Sequence, residues 1–314
     1  VIFYYPHHFN RGKKNENQFF KQLLQTCDKY SISYGVFEEP DYNSAAKRNK
    51  NAISFDFMYV LIVLLRKLFS TEMNIQIKDQ KIGRFLSKTF FRKFIFKHYI
   101  TLSQSMLSVF RGINPDAKLF DLQHGIIHNN KENYLMHGLV AENLRANNVH
   151  LLLHGKSYKA LLVKNEVADY FQTHTHVIGS NASLANFKHQ QFNNKVLITL
   201  QFTHDHSEAE NKALKEELTS FISSFNTVIN FYLKHHPRFN NEVDLNEILA
   251  LDNVYLAPSY IHECFDLCSV HATAYSTCTF EAALLGIPTV LINPLSVHNY
   301  FYTDFCFTFV VYKD

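Results

Sequence analysis

The sequence predicts a doubly wound α/β protein of two Rossmann-like domains, and three observations carry that prediction. Short apolar runs alternate with amphipathic segments through the second half, and strands that alternate with helices imply a parallel sheet covered on both faces. The chain has 314 residues, enough for two domains that each bury a core. A polar stretch at 181–194 separates a less regular first half from a fresh alternation that begins at Lys195.

Taken in order, residues 1–5, 33–37, 117–122, 150–153 and 176–178 read as strands, with long helical segments between the second and the third. The longest apolar run, 57–65, has nine residues, about half of what spans a bilayer, and predicts a buried helix. In the second half, 195–201 is a buried strand and 207–225 an amphipathic helix rich in Glu and Lys. Strands then follow at 228–233, 254–256, 268–271 and 289–292, with helices at 244–251, 260–267 and 277–285 between them. The last helix has strong end signals: Ser276 as N-cap, Gly286 just past its end and Pro288 beyond. The predicted domains are 1–185 and 186–314, facing each other across a cleft. Apolar runs at 1–5 and 307–312 predict a natural chain that extends beyond both ends.

Composition narrows the function classes. At 46% hydrophobic and 19% charged residues, the chain is globular and not disordered. A net charge of +3 is too small to argue for nucleic acid, and no RNA-binding motif accompanies it. Five cysteines form no paired framework, and Cys264 and Cys268 lack zinc spacing, so reduced thiols in a cytoplasmic protein are expected. The pairs His174/His176 and His204/His206 have no third or fourth ligand nearby, and no Asp-x-Asp is present, so no metal is expected.

Three loops carry the chemistry. Lys234-His235-His236-Pro237-Arg238 follows a strand and puts two permanent cations and two imidazoles within five residues. Pro237 fixes its own φ and keeps His236 out of the helical region, so the loop has a defined shape. It can place an imidazole and the Arg238 fork on a phosphate, or be a solvated basic turn. About forty residues on, Ser276 and Thr277 stand at a helix N-terminus, where unpaired N–H groups favour an anion. Glu281, one turn in, is placed to bond a ribose hydroxyl or to sit on the helix surface. In the first half, Gln123-His124-Gly125 follows a strand; Gly125 permits a tight turn that leaves His124 at the strand's carboxyl end. His128 lies four residues further on. With 18 histidines in the chain, a single one is usually structural, so His124 gains weight only beside the other loops.

Together these motifs, Gln-His-Gly, Lys-x-His-Pro-Arg, and Ser-Thr followed by Glu-Ala and Gly-x-Pro, resemble bacterial glycosyltransferases of the GT-B architecture that build capsular and surface polysaccharides. The resemblance spans about 121–292. It shares His-Pro and Ser-Thr motifs with polysialyltransferases, and His-Gly and His-Pro motifs with glycerophosphotransferases of teichoic acid synthesis. The acidic pair before a glycine, found in polysialyltransferases, has no counterpart here. The resemblance implies that His236, Pro237, Ser276 and Thr277 contact a donor nucleotide and that His124 lies at the reaction centre, with His128 as second choice. It implies transfer from a nucleotide-sugar, a substrate and not a cofactor, to a glycan or lipid-linked acceptor; without an Asp-x-Asp in the chain, that transfer is expected to be metal-independent. Lys234, Arg238 and the 276–277 helix end would stabilise the departing phosphate. A nucleotide-sugar epimerase of the same shape and a non-catalytic nucleotide- or glycan-binding protein are the alternatives.

One further stretch stands out. No acidic residue falls between Asp79 and Asp116, while Lys81, Arg84, Lys88, Arg92, Lys93, Lys97 and Arg111 do, interleaved with Ile82, Phe85, Leu86, Phe90, Phe91 and Phe94. The spacing 81, 84, 88, 92 predicts one helical stripe. It reads as an ordinary solvated basic face, or as a surface for anionic lipid on the inner face of a membrane.

Overall fold

The computed structural model describes all residues except 43, 45, 70–73, 93–95, 126, 128–130, 180–190, 204–205, 226–227, 240, 242, 293–309 and 312–314. The chain forms two compact units, Val1–Tyr42 with Ala46–Asn181, and Ala182–Asp314.

The first unit is built on seven parallel strands. Its strands are β1 (Ile2–Pro6), β2 (Gly35–Glu39), β3 (Ile53–Ser54), β4 (His98–Leu102) and β5 (Lys118–Leu122), then, beyond a two-stranded hairpin β6 (Leu135–Met136) and β7 (Leu139–Val140), β8 (Val149–Leu153) and β9 (Thr175–Val177). The sheet order is β3-β2-β1-β4-β5-β8-β9. Every side chain of β1 is buried, as a strand covered on both faces requires. Phe3 and Tyr5 join Phe20, Leu102 and Leu122 in one core cluster. Tyr4, one residue out of phase, faces the opposite side, where its ring meets Phe55 and Phe110.

Seven helices cover this sheet: α1 (Lys21–Lys29), α2 (Asp56–Leu68), α3 (Ile75–Lys88), α4 (Leu107–Ile113), α5 (Glu142–Asn147), α6 (Lys156–Asn165) and α7 (Tyr170–His174). Glycines let α3 and α4 approach closely. A Cβ on Gly83 would lie 2.2 Å from the Val109 carbonyl oxygen, and one on Gly112 would lie 2.2 Å from that of Gln80. Two expectations fail in this region. The run 57–65 is not a buried helix: in α2 only Ile62 is fully buried, while Phe57, Val60 and Leu64 are exposed. Nor do the described residues of 81–97 form one helix; α3 ends at Lys88, and the apolar residues beyond it lead into β4, next to β1 at the centre of the sheet. Interleaved aromatic and basic residues hid that transition, because both periods fit so dense an apolar pattern.

The second unit repeats the plan. Its strands are β10 (Lys195–Thr199), β11 (Asn230–Lys234), β12 (Val254–Leu256), β13 (Val270–Thr273), β14 (Thr289–Leu291) and β15 (Val310–Val311), all parallel, in the order β12-β11-β10-β13-β14-β15. Counted within the unit this is 3-2-1-4-5-6, the order of dinucleotide-binding sheets. Its helices are α8 (Glu208–Ser223), α9 (Asn246–Leu249), α10 (Ile261–Leu267) and α11 (Cys278–Leu284). Ile198 packs with Phe221, Phe231 and Leu233 on one face, and Leu197 with Cys264, Phe265 and Ile287 on the other. The start of α8 is fixed by a capping box, in which Ser207 and Glu210 satisfy each other's backbone amides.

Candidate functional site

In the second unit, β10, β11 and β13 run side by side, with Thr199 level with both Lys234 and Thr273. Their carboxyl ends therefore open on one edge. The strand order reverses between β10 and β13, and the crevice outside such a switch point is where open α/β sheets take ligands. The loops around it are tied together. Thr273 donates its hydroxyl to the Thr199 carbonyl (2.9 Å) and accepts the Ser276 amide (3.2 Å). Tyr275 reaches across the crevice to His206 Nε2 (2.5 Å), whose Nδ1 faces Asn211 Oδ1 (3.3 Å). That pairing makes Nδ1 the donor and Nε2 the acceptor, so His206 is spent on bracing the loop.

The basic loop beside it is a turn. Phe239 donates its amide to the His236 carbonyl (2.9 Å), with Pro237 as the second residue, the position its fixed φ favours. The Arg238 amide donates to His236 Nδ1 (3.2 Å), which leaves the proton of the neutral ring on Nε2. His235 instead stacks on Phe239, centroids 4.2 Å apart, and burial, aided by Lys234, lowers its pKa. Lys234, His236 and Arg238 are all partly buried at this edge.

The third loop differs in detail from expectation. Thr277, not Ser276, occupies the N-cap position, and the helix is seven residues long. Buried Ser276 accepts the Cys278 amide with its hydroxyl (3.2 Å), while the amides of Thr279 and Phe280 go to the carbonyls of Ser276 and Thr277. Three of the amides expected to be unpaired already have acceptors, because a tight turn precedes the helix. Thr277 is partly exposed beside them, and Glu281 is exposed on α11. The structure thus sets Lys234, His236, Pro237, Arg238, Ser276 and Thr277 on one sheet edge, with β10 between the two groups.

The first unit has its own switch point, between β1 and β4. Its carboxyl edge gathers groups that the sequence did not single out. His8 Nδ1 lies 2.6 Å from Asp41 Oδ2, and His7 Nδ1 accepts the Asp41 amide (2.8 Å). The acidic pair before Asp41 is turned inward: buried Glu38 is held by Arg48, Asn10 (2.6 Å) and Tyr5 (3.2 Å), and Glu39 by Tyr4 and Ser105 (2.9 Å). Burial raises the Glu39 pKa.

His124 sits two residues past the end of β5. Burial lowers its pKa to about 3, helped by nearby Lys131, Arg11, His8 and His154, and its Nδ1 has no hydrogen-bond partner. The ring packs edge-on against Phe9, 5.2 Å between centroids. An imidazole so placed is neutral at ordinary pH and a weak proton acceptor. Lys131 stands at the same spot; a methyl added to Gly125 would lie 3.9 Å from its Nζ, and burial lowers the Lys131 pKa. Gln123 is the pivot of the turn, receiving the His154 amide (2.9 Å), facing His154 Nε2 with its carbonyl (2.6 Å) and donating to the Gly125 carbonyl (2.8 Å). A cavity lined by His154, Leu122, Phe19 and Gly179 opens here, but its roughly 130 Å³ is well below the 300–1,000 Å³ of ordinary ligand pockets.

His128 lies outside the described residues, as do His204 and most of the 181–194 stretch. Of the remaining histidines, His174 faces Asn148 and His176 faces His150. His271 is a core residue between Thr199 (2.9 Å) and Thr289 (3.0 Å). Among the described residues no group of three or more His, Cys, Asp or Glu could hold a metal. Cys264 and Cys268 are free and buried, their pKa values pushed up to about 11 and 12 by burial.

The missed residues had a signal. His7 and His8 follow the strand 1–5 after Pro6, and Asp41 follows Glu-Glu-Pro after the strand 33–37. What the sequence lacked was the pairing of those two strand ends.

No protein-family model matches the sequence, and no curated protein matches it significantly. Solved structures do match. UDP-GlcNAc 2-epimerase from Neisseria meningitidis, bound to UDP-GlcNAc, aligns with 93% of this chain and 82% of its own, at TM-score 0.57 and 12% identity. The Methanocaldococcus jannaschii UDP-GlcNAc 2-epimerase, in complex with UDP-GlcNAc and UDP, covers 92% and 83% at TM-score 0.57 and 12% identity. The S. aureus MnaA–UDP structure covers 93% and 79% at TM-score 0.54 and 11% identity. At such identity the likeness shows the fold: this chain is an α/β protein of the GT-B type.

Proposed function

We propose that the chain is a glycosyltransferase acting on a nucleotide-activated sugar. The observation that carries the reading is the edge of the second unit, where a basic turn and a hydroxyl-bearing turn flank the switch point of a 3-2-1-4-5-6 sheet. Lys234, Arg238 and the Nε2–H of His236 meet the diphosphate, and the hydroxyls of Ser276 and Thr277 add donors. Glu281 bonds the ribose. In transfer, an acceptor hydroxyl loses its proton, its oxygen attacks the anomeric carbon, and the nucleoside diphosphate leaves with its charge met by those cations.

A candidate base on the first unit, taken by itself, is His8. Its Nδ1 lies 2.6 Å from Asp41 Oδ2, a carboxylate that can stabilise the imidazolium formed when the ring takes a proton. His124 is then a neutral neighbour. The second reading, a nucleotide-sugar epimerase, is favoured by the fold likeness to structures that hold UDP-GlcNAc. Product analysis with a panel of UDP-, GDP-, CDP- and CMP-sugars separates the two: free nucleotide with a glycosylated acceptor supports transfer, and an isomerised donor supports epimerisation. Calorimetry tests the pocket itself. His236→Ala and the Ser276→Ala/Thr277→Ala pair should each weaken nucleotide binding in a folded protein; unchanged affinity in both removes the site.

A further inference from the structure

We infer that the outer face of α2 and α3 docks on an anionic lipid bilayer. The two helices divide the task. On α2, Phe57, Val60, Leu64 and Leu68 recur at spacings of three and four, which puts them on one face, and they are 67, 45, 53 and 80% exposed. On α3, Ile77, Lys81, Arg84, Phe85 and Lys88 form the exposed face, while Ile82, Gly83 and Leu86 pack inward. Phe90, just past α3, is exposed and touches Phe57 at 5.9 Å between ring centroids, so the two faces adjoin. Arg92 is exposed two residues on, and Lys67 near the end of α2.

Charge selects the occupant. The only acidic residue of α3, Asp79, is buried and held bidentately by Arg66 of α2 (2.8 and 2.6 Å), so it cancels none of the outward charge. On α2 the only acidic residue, Asp56, pairs with Arg48 (2.9 Å) at the far end from Lys67. The face therefore presents large apolar side chains among Lys67, Lys81, Arg84, Lys88 and Arg92. A second copy of this chain would set like charges against each other. An anionic headgroup layer above acyl chains satisfies both components: apolar residues enter the interface, and each cation gains about fivefold in partitioning. An exposed apolar stripe on a soluble surface otherwise calls for an explanation. The inference is independent of the reaction proposed above.

Vesicle co-sedimentation tests it with the full chain. Binding to mixed phosphatidylcholine and phosphatidylglycerol vesicles should exceed binding to phosphatidylcholine alone and should fall as salt rises. Arg84→Gln/Lys88→Gln/Arg92→Gln should lower partitioning to anionic vesicles by roughly a hundredfold. Leu64→Ser/Leu68→Ser should lower it at every salt concentration, since that component is not screened. All five positions are exposed, and an unchanged Tm confirms folding. Equal partitioning of the wild-type chain to neutral and anionic vesicles overturns the inference. So does a dimer in light scattering that Leu64→Ser/Leu68→Ser dissociates, which would assign the face to self-association.

Discussion

At the scale of single residues, the two imidazoles at the first unit's edge differ by environment and not by type. His124 is crowded by apolar atoms and cations, which penalises its charged form; His8 has a carboxylate at Nδ1. His8→Ala should therefore lower kcat by about 10²–10⁴-fold with little change in nucleotide affinity, and Asp41→Asn should act in the same direction by removing the nearby negative charge. His124→Ala should leave the pH dependence of kcat/KM above about pH 5 unaltered. A shifted limb in that variant would return the base to His124. Asp121 offers a second residue-scale test. Fully buried in β5, it accepts from Thr101 (2.8 Å) and the Gln104 amide (2.8 Å), yet burial raises its pKa to about 7. A carboxyl whose folded pKa exceeds its unfolded value of about 3.9 stabilises the fold below that lower value. Its contribution is lost as pH rises to the folded pKa. Denaturant titrations of wild type and Asp121→Asn should thus diverge between about pH 4 and 7, with wild type losing stability relative to the variant, on the order of a few kcal/mol. Parallel curves would mean that the carboxyl stays ionised throughout.

At the scale of elements, α3 and α4 cross closely, with Gly83 and Gly112 each facing backbone of the other helix. Backbone cannot move aside as a flexible side chain can. Gly83→Ala should destabilise by about 1–3 kcal/mol in chemical denaturation, despite the gain in helix propensity. A neutral or stabilising result would mean that the crossing relaxes freely. Element identity was legible where one period dominated. Helix α8 declared itself through Ser207, Glu210 and a polar face, and β10 through KVLIT. Strand β4 did not, since HYITL follows an aromatic and basic run with no punctuating glycine or proline. The apolar run of α2 was visible, but which of its residues face solvent depends on what packs against it.

At the scale of the whole molecule, two parallel sheets with separate cores should respond separately to ligand. A nucleotide at 100 times its Kd stabilises the state that binds it by about 2.7 kcal/mol. Scanning calorimetry with CMP, CDP, UDP and GDP should show one of them raising Tm by roughly 5–10 °C. If unfolding has two transitions, only that of the second unit should move. No shift with any of the four would leave the second unit without a nucleotide site.

The sequence by itself determined the α/β class, the alternation of the second half and which residue types stand in the 234–238 and 276–277 loops. Those features are local: hydrophobic period, a cap, a proline and the residues that follow a strand all act within a few positions. Tertiary structure decided the 3-2-1-4-5-6 order, because which strands become neighbours depends on how crossovers of 13 to 30 residues are laid over the sheet. It decided the His8–Asp41 pair, whose members meet only when β1 and β2 lie side by side. It also decided the state of His124, since a pKa is set by burial and by charges brought from elsewhere in the chain.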